Sequence, residues 1–267
     1  MEISLDYPVN PKPRWTTNKP NKALFDLIKS YEGVYAKNLN MFLKFKNNFK
    51  SIAKNNDSNN LSLPYWSNGF IPGLDAISLY SFLALNNPNK YLEVGSGNST
   101  KFVRRSIQDN NLQTKIISID PYPRAEIDTI CDEIIRKPVE DVATGLFLGL
   151  EKGDILFVDN SHRVFTNSDV TMMFLDVLPY LKPGVIIQFH DIFLPYDYPE
   201  EWSNRYYSEQ YILGAFLLGG AKNIEILLPN HYISTIPELH SILLPIWNDD
   251  SIAIDERHGG SFWIIKT

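Results

Sequence analysis

The chain has 267 residues, of which 44% are hydrophobic and 13% aromatic, and its charged residues give a net charge of −6. This composition supports a large apolar core, and the acidic balance argues against a surface that neutralises nucleic-acid phosphates or anionic lipid. The single cysteine, Cys131, excludes an internal disulfide and a cysteine-based zinc cage, as is typical of a reducing compartment. The longest apolar run, residues 211–218, is far shorter than the ~20 residues that cross a bilayer. We therefore expect a cytoplasmic protein with neither nucleic-acid nor membrane partners.

The first 70 residues differ from the rest of the chain. A proline-rich lead is followed by an amphipathic stretch, residues 23–53, in which Leu24, Leu27 and Ile28 recur at helical spacing. Lysines and aromatic residues are interleaved there, but they fall on opposite stripes, as in a helix that is packed on one face. The pattern predicts an N-terminal helical cap over residues 1–70 that either covers a ligand pocket or forms a homodimer.

From residue 71 to residue 267, predicted helices and strands alternate. Strands are predicted at residues 91–94, 115–119, 133–137, 154–158, 185–189, 223–228 and 261–265. Helices are predicted at residues 74–85, from 99 or 100 onward, and at 124–130, 139–148, 168–181 and 209–218. Such alternation implies right-handed crossovers and an α/β fold, with a doubly wound parallel sheet that has helices on both faces.

Polar residues stand where several of these strands end. In such sheets ligands bind outside the carboxyl ends of the strands, at the point where the strand order reverses. The strand ends carry Glu93 with the Gly95 and Gly97 turn, then Asp120, Asp159, and His190 with Asp191. We therefore expect these residues to converge on one rim of the sheet.

The segment LEVGSGNST, residues 92–100, is typical of a strand, a glycine turn and a helix start. Gly95 and Gly97 would let the backbone approach a ligand closely. Asp120 follows at the end of the next strand, where a carboxylate can accept two hydrogen bonds from ribose hydroxyls. The alternative is an aspartate that only ends its strand before the turn at residues 121–123.

The chain resembles class I S-adenosylmethionine-dependent methyltransferases in four consecutive segments, EVGSGNSTKF, SIDPYP, DILFVDNSHRVF and LKPGVIIQFHDIFLP. It is most similar to the small-molecule O-methyltransferase-like group with D-x-x-H after strand four and His-Asp after strand five. The resemblance covers residues 70–267 and implies a Rossmann-like sheet of seven strands. Its last strand would be antiparallel, with residues 261–265 beside residues 185–189. The competing nicotinamide-binding proteins show GxGxxG, and this chain has Thr100 where the last glycine would stand.

The resemblance implies S-adenosylmethionine as the cofactor. By family role, Glu93 would face the methionine amino end and Asp120 would hold the ribose. The remaining implied cofactor contacts are Gly95, Ser96, Gly97, Ser99, Val139, Glu140 and Asp159, with Asp141 also near the adenine. The usual ExGxGxG pattern of the family has a third glycine where this chain has Ser99.

A hydroxyl acceptor must lose its proton, either to a general base or through a metal that lowers its pKa. The similarity to catechol-type and macrolide-sugar O-methyltransferases implies His162 as the base, next to Asp159, and a divalent metal bound by Asp159, His190 and Asp191. Such enzymes generally have a carboxylate in place of His190. Because magnesium prefers oxygen ligands, this histidine favours manganese, iron or zinc, or no metal. The structural alternatives are a turn histidine that caps a helix at 162 and a strand-end histidine bonded to backbone at 190.

Two insertions, residues 193–207 and 229–258, follow strands five and six and therefore rise from the edge expected to bind the cofactor. Both are rich in aromatic residues, which suits a lid over a planar or sugar-like acceptor. The predicted substrate contacts are His190, Tyr196, Tyr198 and Trp202. Arg163 and Arg205 fit either an acidic substrate or a solvated surface.

These features predict methyl transfer from S-adenosylmethionine to a hydroxyl of a small molecule, such as a sugar or a secondary metabolite. Two alternatives stay open: an N-methyltransferase that needs no metal, and a cofactor-binding partner protein without catalysis. A nucleic-acid methyltransferase is disfavoured by the net charge and by Asn160 and Ser161, which stand where amino-directed base methylation uses a proline-aromatic motif.

Overall fold

The computed structural model describes residues 6, 8–57, 59–123, 125–221 and 223–267, and predictions that involve other residues lie outside this part. The strands are β1 (Lys90–Val94), β2 (Lys115–Ile119), β3 (Glu133–Ile135), β4 (Ile155–Val158), β5 (Ile186–Phe189), β6 (Ile224–Pro229) and β7 (Phe262–Lys266). Among the described residues they form one seven-stranded sheet in the order β3-β2-β1-β4-β5-β7-β6. The predicted Rossmann-like α/β fold is confirmed.

Strand β7 lies between β5 and β6 and is antiparallel to both. Strands β1 to β5 pair in parallel. The register places Ile187 opposite Ile264 and Phe189 opposite Phe262, which confirms the predicted insertion of the last strand. Strands β1, β4 and β5 are almost continuous apolar runs because helices cover the sheet on both faces.

The helices surround this sheet. Their bounds are α1 (Lys22–Lys29), α2 (Glu32–Phe42), α3 (Lys46–Phe49), α4 (Gly73–Asn86), α5 (Asn98–Asn110), α6 (Gly145–Leu148), α7 (Asp169–Met172), α8 (Glu209–Leu218), α9 (Asn230–Thr235), α10 (Pro237–His240) and α11 (Leu244–Trp247). Helix α8 coincides with its predicted bounds, and α4 extends its prediction by one residue at each end. No helix in the described part of the chain combines the length and the apolar composition that a membrane span requires.

Two predicted helices are interrupted. In place of one helix at 139–148, a 3-10 turn at Val139–Asp141 precedes α6, because Val142 between them has an extended backbone. The prediction at 168–181 becomes α7, a π-helical turn and a 3-10 turn at Leu178–Tyr180. Pro179 lacks the N–H that a continuing α-helix needs. The piece predicted at 124–130 is a 3-10 turn at Asp128–Ile130, and Arg124 lies outside the described residues.

The N-terminal helices belong to the same hydrophobic core as the sheet. The Asn38 side chain on α2 donates a 2.9 Å hydrogen bond to the Leu227 carbonyl of β6. Phe42 packs edge-on against Phe82 of α4, with 5.2 Å between the ring centroids. These helices therefore cover α4 and one margin of the sheet.

Candidate active site

A cavity of about 910 Å³ opens at the carboxyl ends of β1, β2, β4 and β5. Because β2 and β4 lie on opposite sides of β1, this edge is the point where the strand order reverses. Gly95, Asp120, His162 and Asp191 line this one cavity, as the convergence of strand ends predicts. The other predicted site residues that line it are Ser96, Val139, Glu140, Asp159, His190 and Trp202.

The first glycine of the turn is required by the fold itself. Gly95 has a φ of +81°, and a Cβ added there would lie 1.8 Å from the carbonyl oxygen of Asp159. The Asp159 N–H in turn donates a 2.8 Å hydrogen bond to the Val94 carbonyl, which holds the ends of β1 and β4 together. At Gly97, by contrast, an added Cβ would meet no described protein atom within 4 Å.

Glu93 lies beneath the glycine turn and is fully buried. Thr100 Oγ1 donates a 2.6 Å hydrogen bond to Glu93 Oε1 and accepts one from the Gly97 N–H. Burial raises the pKa of Glu93 to about 7, although hydrogen bonds from the hydroxyls of Thr100, Ser96 and Tyr91 lower it. Glu93, Gly97 and Ser99 are absent from the described residues that line the cavity. Glu93 thus holds the turn through Thr100, and its implied contact with the methionine end stays a prediction.

Asp120 is held by backbone N–H groups on both carboxylate oxygens. Ser96 N donates to Oδ2 at 2.9 Å and Tyr122 N donates to Oδ1 at 2.8 Å. Each oxygen keeps a second lone pair that can accept from a hydroxyl. Val139 and Glu140, in the 3-10 turn that follows β3, line the same part of the cavity. This set fits the ribose and the adenine of S-adenosylmethionine.

His162 is oriented by a residue that sequence reasoning missed. Its Nδ1 lies 2.9 Å from Glu209 Oε2, and its Nε2 lies 3.1 Å from Asp159 Oδ1. The main chain of His162 has a φ of +59°, and its carbonyl accepts from Ser208 N and Glu209 N. Glu209 opens α8, where an acidic residue is common for reasons of the helix dipole. An acidic residue at this position therefore gave no sign in the sequence that it would contact His162.

The charge of His162 depends on these carboxylates. Burial opposes the charged imidazolium, but hydrogen bonds and charges from Asp159 and Glu209 outweigh burial and raise the pKa of His162 well above its usual value. The ring of Tyr207 packs against the imidazole, with 4.7 Å between the centroids. His162 is thus a buried histidine with carboxylate partners on both nitrogens, and the helix that follows it, α7, is capped by Ser168 instead.

His190 is bound on its far side by a second residue that the sequence did not indicate. His190 Nε2 lies 3.2 Å from Asp75 Oδ2, an ion-pair distance without hydrogen-bond geometry, and Nδ1 lies 3.3 Å from Asp191 Oδ1. Asp75 comes from α4 and also accepts from the backbone N–H groups of Gly260 and Ser261. Burial opposes the charge on His190, but Asp191 and Asp159 raise its pKa. Its ring partners are therefore carboxylates, and the alternative of a ring bonded only to backbone is wrong.

Asp159, His162 and Asp191 form a group that could hold a metal ion, since one ligand atom from each lies within 4.8 Å of the others. The prediction named His190 as the third ligand, whereas this grouping contains His162. His190 directs Nε2 at Asp75, and its Nδ1 lies 3.3 Å from Asp191 Oδ1 and 3.7 Å from Asp159 Oδ1, so it also faces this group. Two carboxylate oxygens and one imidazole nitrogen suit a divalent cation. A metal-bound histidine usually donates its other ring N–H to a carboxylate or a carbonyl, and Glu209 Oε2, 2.9 Å from His162 Nδ1, could accept such a hydrogen bond.

Of the two insertions, the one after β5 supplies more of the residues that line the cavity. Trp202 lines it as predicted, together with Phe193, Arg205 and Tyr207. Tyr196 and Tyr198 are not among its lining residues. Tyr196 OH pairs with Thr235 Oγ1 at 3.0 Å, and Tyr198 OH accepts a hydrogen bond from Gln210 N. From the first 70 residues, the described part reaches the cavity only at Gly69 and Phe70.

Comparison with known proteins gives a family match over part of the chain. Residues 92–192, which contain β1 to β5, match the family model described as a methyltransferase domain. The chain is 31% identical over 99 residues to an uncharacterized protein of Archaeoglobus fulgidus. That match covers 34% of this chain and 44% of the relative, so the chain spans less than half of the length of this curated relative.

Three solved structures are also similar. An S-adenosylhomocysteine-bound methyltransferase of Podospora anserina is 17% identical, with 73% of this chain and 78% of the other covered and a TM-score of 0.42. An O-methyltransferase of Bacillus cereus in complex with S-adenosylhomocysteine is 11% identical, with coverages of 86% and 91% and a TM-score of 0.43. The plantazolicin methyltransferase, also in complex with S-adenosylhomocysteine, is 12% identical, with coverages of 92% and 99% and a TM-score of 0.48.

Proposed function

We propose that this chain, which carries a methyltransferase domain over residues 92–192, transfers a methyl group from S-adenosylmethionine to a hydroxyl group of a small molecule. One observation carries the proposal. A single cavity unites Asp120, which would accept from ribose hydroxyls, with His162, an imidazole whose Nδ1 lies 2.9 Å from Glu209. A cofactor site and a basic group therefore share one volume.

The cofactor half of the cavity is built by β1, β2 and the turn after β3. Asp120 would accept from the ribose hydroxyls, and Val139 and Glu140 would border the adenine. When bound, S-adenosylmethionine supplies an electrophilic methyl group. The protein's contribution to such a displacement is to orient the acceptor and exclude water. Phe193, Trp202 and Tyr207 supply apolar walls for that purpose.

His162 is the residue that would remove the proton from the acceptor hydroxyl. Glu209 lies 2.9 Å from Nδ1 and would hold the proton there, so His162 can act as a base only after Nε2, which faces Asp159, has lost its own proton. Glu209 also stabilises the imidazolium that forms when Nε2 takes the proton. Because Glu209 is fully buried, water does not compete for this hydrogen bond.

Asp159, His162 and Asp191 are the residues that would hold a divalent cation. The cluster has four carboxylates around two imidazoles: Asp75 and Glu209 are buried, and Asp159 and Asp191 are partly exposed. Carboxylates thus outnumber imidazoles, which favours a bound cation. A divalent cation there would occupy the Nε2 lone pair of His162, so it would take the place of His162 as the base and would itself lower the pKa of a coordinated hydroxyl.

Calorimetric titration with S-adenosylhomocysteine tests the cofactor assignment. We expect Asp120→Ala to weaken binding by about tenfold or more, because it removes two hydrogen bonds to the ribose. Asp176→Ala removes an exposed carboxylate away from the cavity and should leave the affinity unchanged. Absence of binding to the unaltered protein would overturn the proposal.

Mass spectrometry of a panel of hydroxyl compounds incubated with S-adenosylmethionine tests the reaction. His162→Gln should retain cofactor binding and lower the transfer rate by about 10²- to 10⁴-fold, the usual contribution of a general base. Transfer to amines that resists both a chelator and His162→Gln would instead show N-methylation. Cofactor binding without transfer to any acceptor would favour the non-catalytic alternative.

A further inference from the structure

The charged side chains of the described residues that line the cavity are mostly carboxylates, and the basic ones are Arg205 and histidines. The carboxylates that line it include Asp120, Asp159 and Asp191 on the sheet edge. Arg205, in the insertion after β5, is the only lysine or arginine among the described residues that line it. An acceptor with a negative group would be repelled along most of the wall and attracted at Arg205.

Aromatic rings connect Arg205 to the proposed base. The Tyr207 ring lies 4.7 Å from the His162 ring, measured between centroids, and the guanidinium carbon of Arg205 lies 5.6 Å from the Tyr207 ring. Trp202 stands beside Tyr207, with 5.8 Å between their centroids, and both rings line the cavity. Two short steps along an aromatic surface thus lead from the reacting nitrogen to the positive charge.

The guanidinium of Arg205 is held in place but not neutralised. Its carbon lies 3.8 Å from the Trp202 ring centroid. Its backbone carbonyl accepts a 2.8 Å hydrogen bond from Arg163 Nε. Within the described ranges, no carboxylate lies at ion-pair distance from Arg205, although Glu201 borders the same cavity. Stacking on an aromatic face leaves the edge of a guanidinium free to bind a carboxylate through two parallel hydrogen bonds.

We propose that the methyl acceptor is a planar hydroxyl compound that carries a carboxylate at the end opposite its reacting hydroxyl, and that Arg205 binds this carboxylate. The inference rests on the proposed function and names its substrate class. Trp202 and Tyr207 receive the planar body. Arg205 would attract the acceptor's carboxylate and the carboxylates of the sheet edge would repel it, so both effects direct the hydroxyl toward His162.

Three probes of one shape test the charge requirement: 3,4-dihydroxybenzoate, its methyl ester and catechol. Their affinities are measured by calorimetry with S-adenosylhomocysteine present, so that binding is read without turnover. We expect the acid to bind about 10- to 100-fold more tightly than the ester, as for a bidentate charged pair. Equal affinities for acid and ester would overturn the inference, and so would failure of all three probes to bind.

Variants of Arg205 test whether this residue causes the preference for the acid. Arg205→Met should remove the preference for the acid, and Arg205→Lys should retain only part of it, because an ammonium keeps the charge without the planar fork. Lys182→Met removes one positive charge at the amino ends of the strands, where Lys182 pairs with Glu151, and should leave the preference intact. Unchanged S-adenosylhomocysteine affinity in each variant shows that it is folded. Retention of the preference in Arg205→Met would overturn the inference.

Methyl transfer to the same probes separates this inference from the proposed function. If the acid binds through Arg205 but no methylated product forms, carboxylate binding by Arg205 stands, but the acid is not the methyl acceptor and hydroxyl transfer is refuted for this substrate class. If the ester and catechol are methylated as efficiently as the acid, hydroxyl transfer stands and the role of Arg205 is refuted.

Discussion

Replacing Gly95 with alanine tests whether the fold itself requires a glycine at this position or only a bound ligand does. At a φ of +81°, alanine costs about 1–2 kcal/mol more than glycine. Its Cβ would also lie 1.8 Å from the Asp159 carbonyl oxygen, a backbone atom that cannot rotate away. The ends of β1 and β4 must therefore move apart by more than about 1 Å to reach van der Waals contact.

The expected cost follows from what this movement breaks. The 2.8 Å hydrogen bond from Asp159 N to the Val94 carbonyl is weakened, which costs about 1 kcal/mol. Overpacking of the strand ends adds about 1–3 kcal/mol. Together with the backbone term, Gly95→Ala should lower the free energy of unfolding by about 3–6 kcal/mol, a large share of a typical domain's stability.

Urea unfolding, followed by the fluorescence of the five tryptophans, measures this change. The matched control is Gly33→Ala on α2, where an added Cβ meets no described atom within 4 Å. Because Gly33 is an exposed helical residue, alanine there should stabilise the protein by about 0.5–1 kcal/mol. A loss below about 1 kcal/mol in Gly95→Ala, accompanied by weakened S-adenosylhomocysteine binding, would refute the steric reasoning and assign the glycine to the cofactor.

Two further predictions concern buried charge. The pKa of Glu93, raised to about 7 by burial, favours its protonated form in the folded state. The contribution of this raised pKa to the free energy of unfolding is fully present below the usual pKa of a glutamate. It is lost as the pH rises through 7, an effect of up to about 3 kcal/mol. In urea titrations from pH 5 to pH 8, Glu93→Gln should remove this decline, and an unchanged slope would contradict the burial argument. Manganese at 100 times its dissociation constant should stabilise the protein by about 2.7 kcal/mol in thermal unfolding. The gain should disappear in Asp191→Asn but persist in Asp176→Asn, and its absence from the unaltered protein would argue against a cation at this site.

The sequence by itself determined the architecture and the place of the site. Apolar runs of strand length that alternate with helical periodicity specify a parallel sheet, and the polar residues that end those runs must meet at its carboxyl edge. Asp120, Asp159 and Asp191 could therefore be assigned to one rim. This reasoning succeeds because the position of a residue that directly follows a strand is set by the strand itself.

Only the tertiary structure decided which side chains pair at that rim. Glu209 holds His162 and Asp75 holds His190 through contacts between elements far apart in the chain. No periodicity reports such contacts, because they depend on how α4 and α8 pack against the sheet. Tyr198 shows the same dependence: its aromatic character suggested a substrate contact, but packing against α8 buries its hydroxyl away from the cavity. Beyond the last residue of a strand, the direction of a side chain is set by its neighbours in space and not by its position in the sequence.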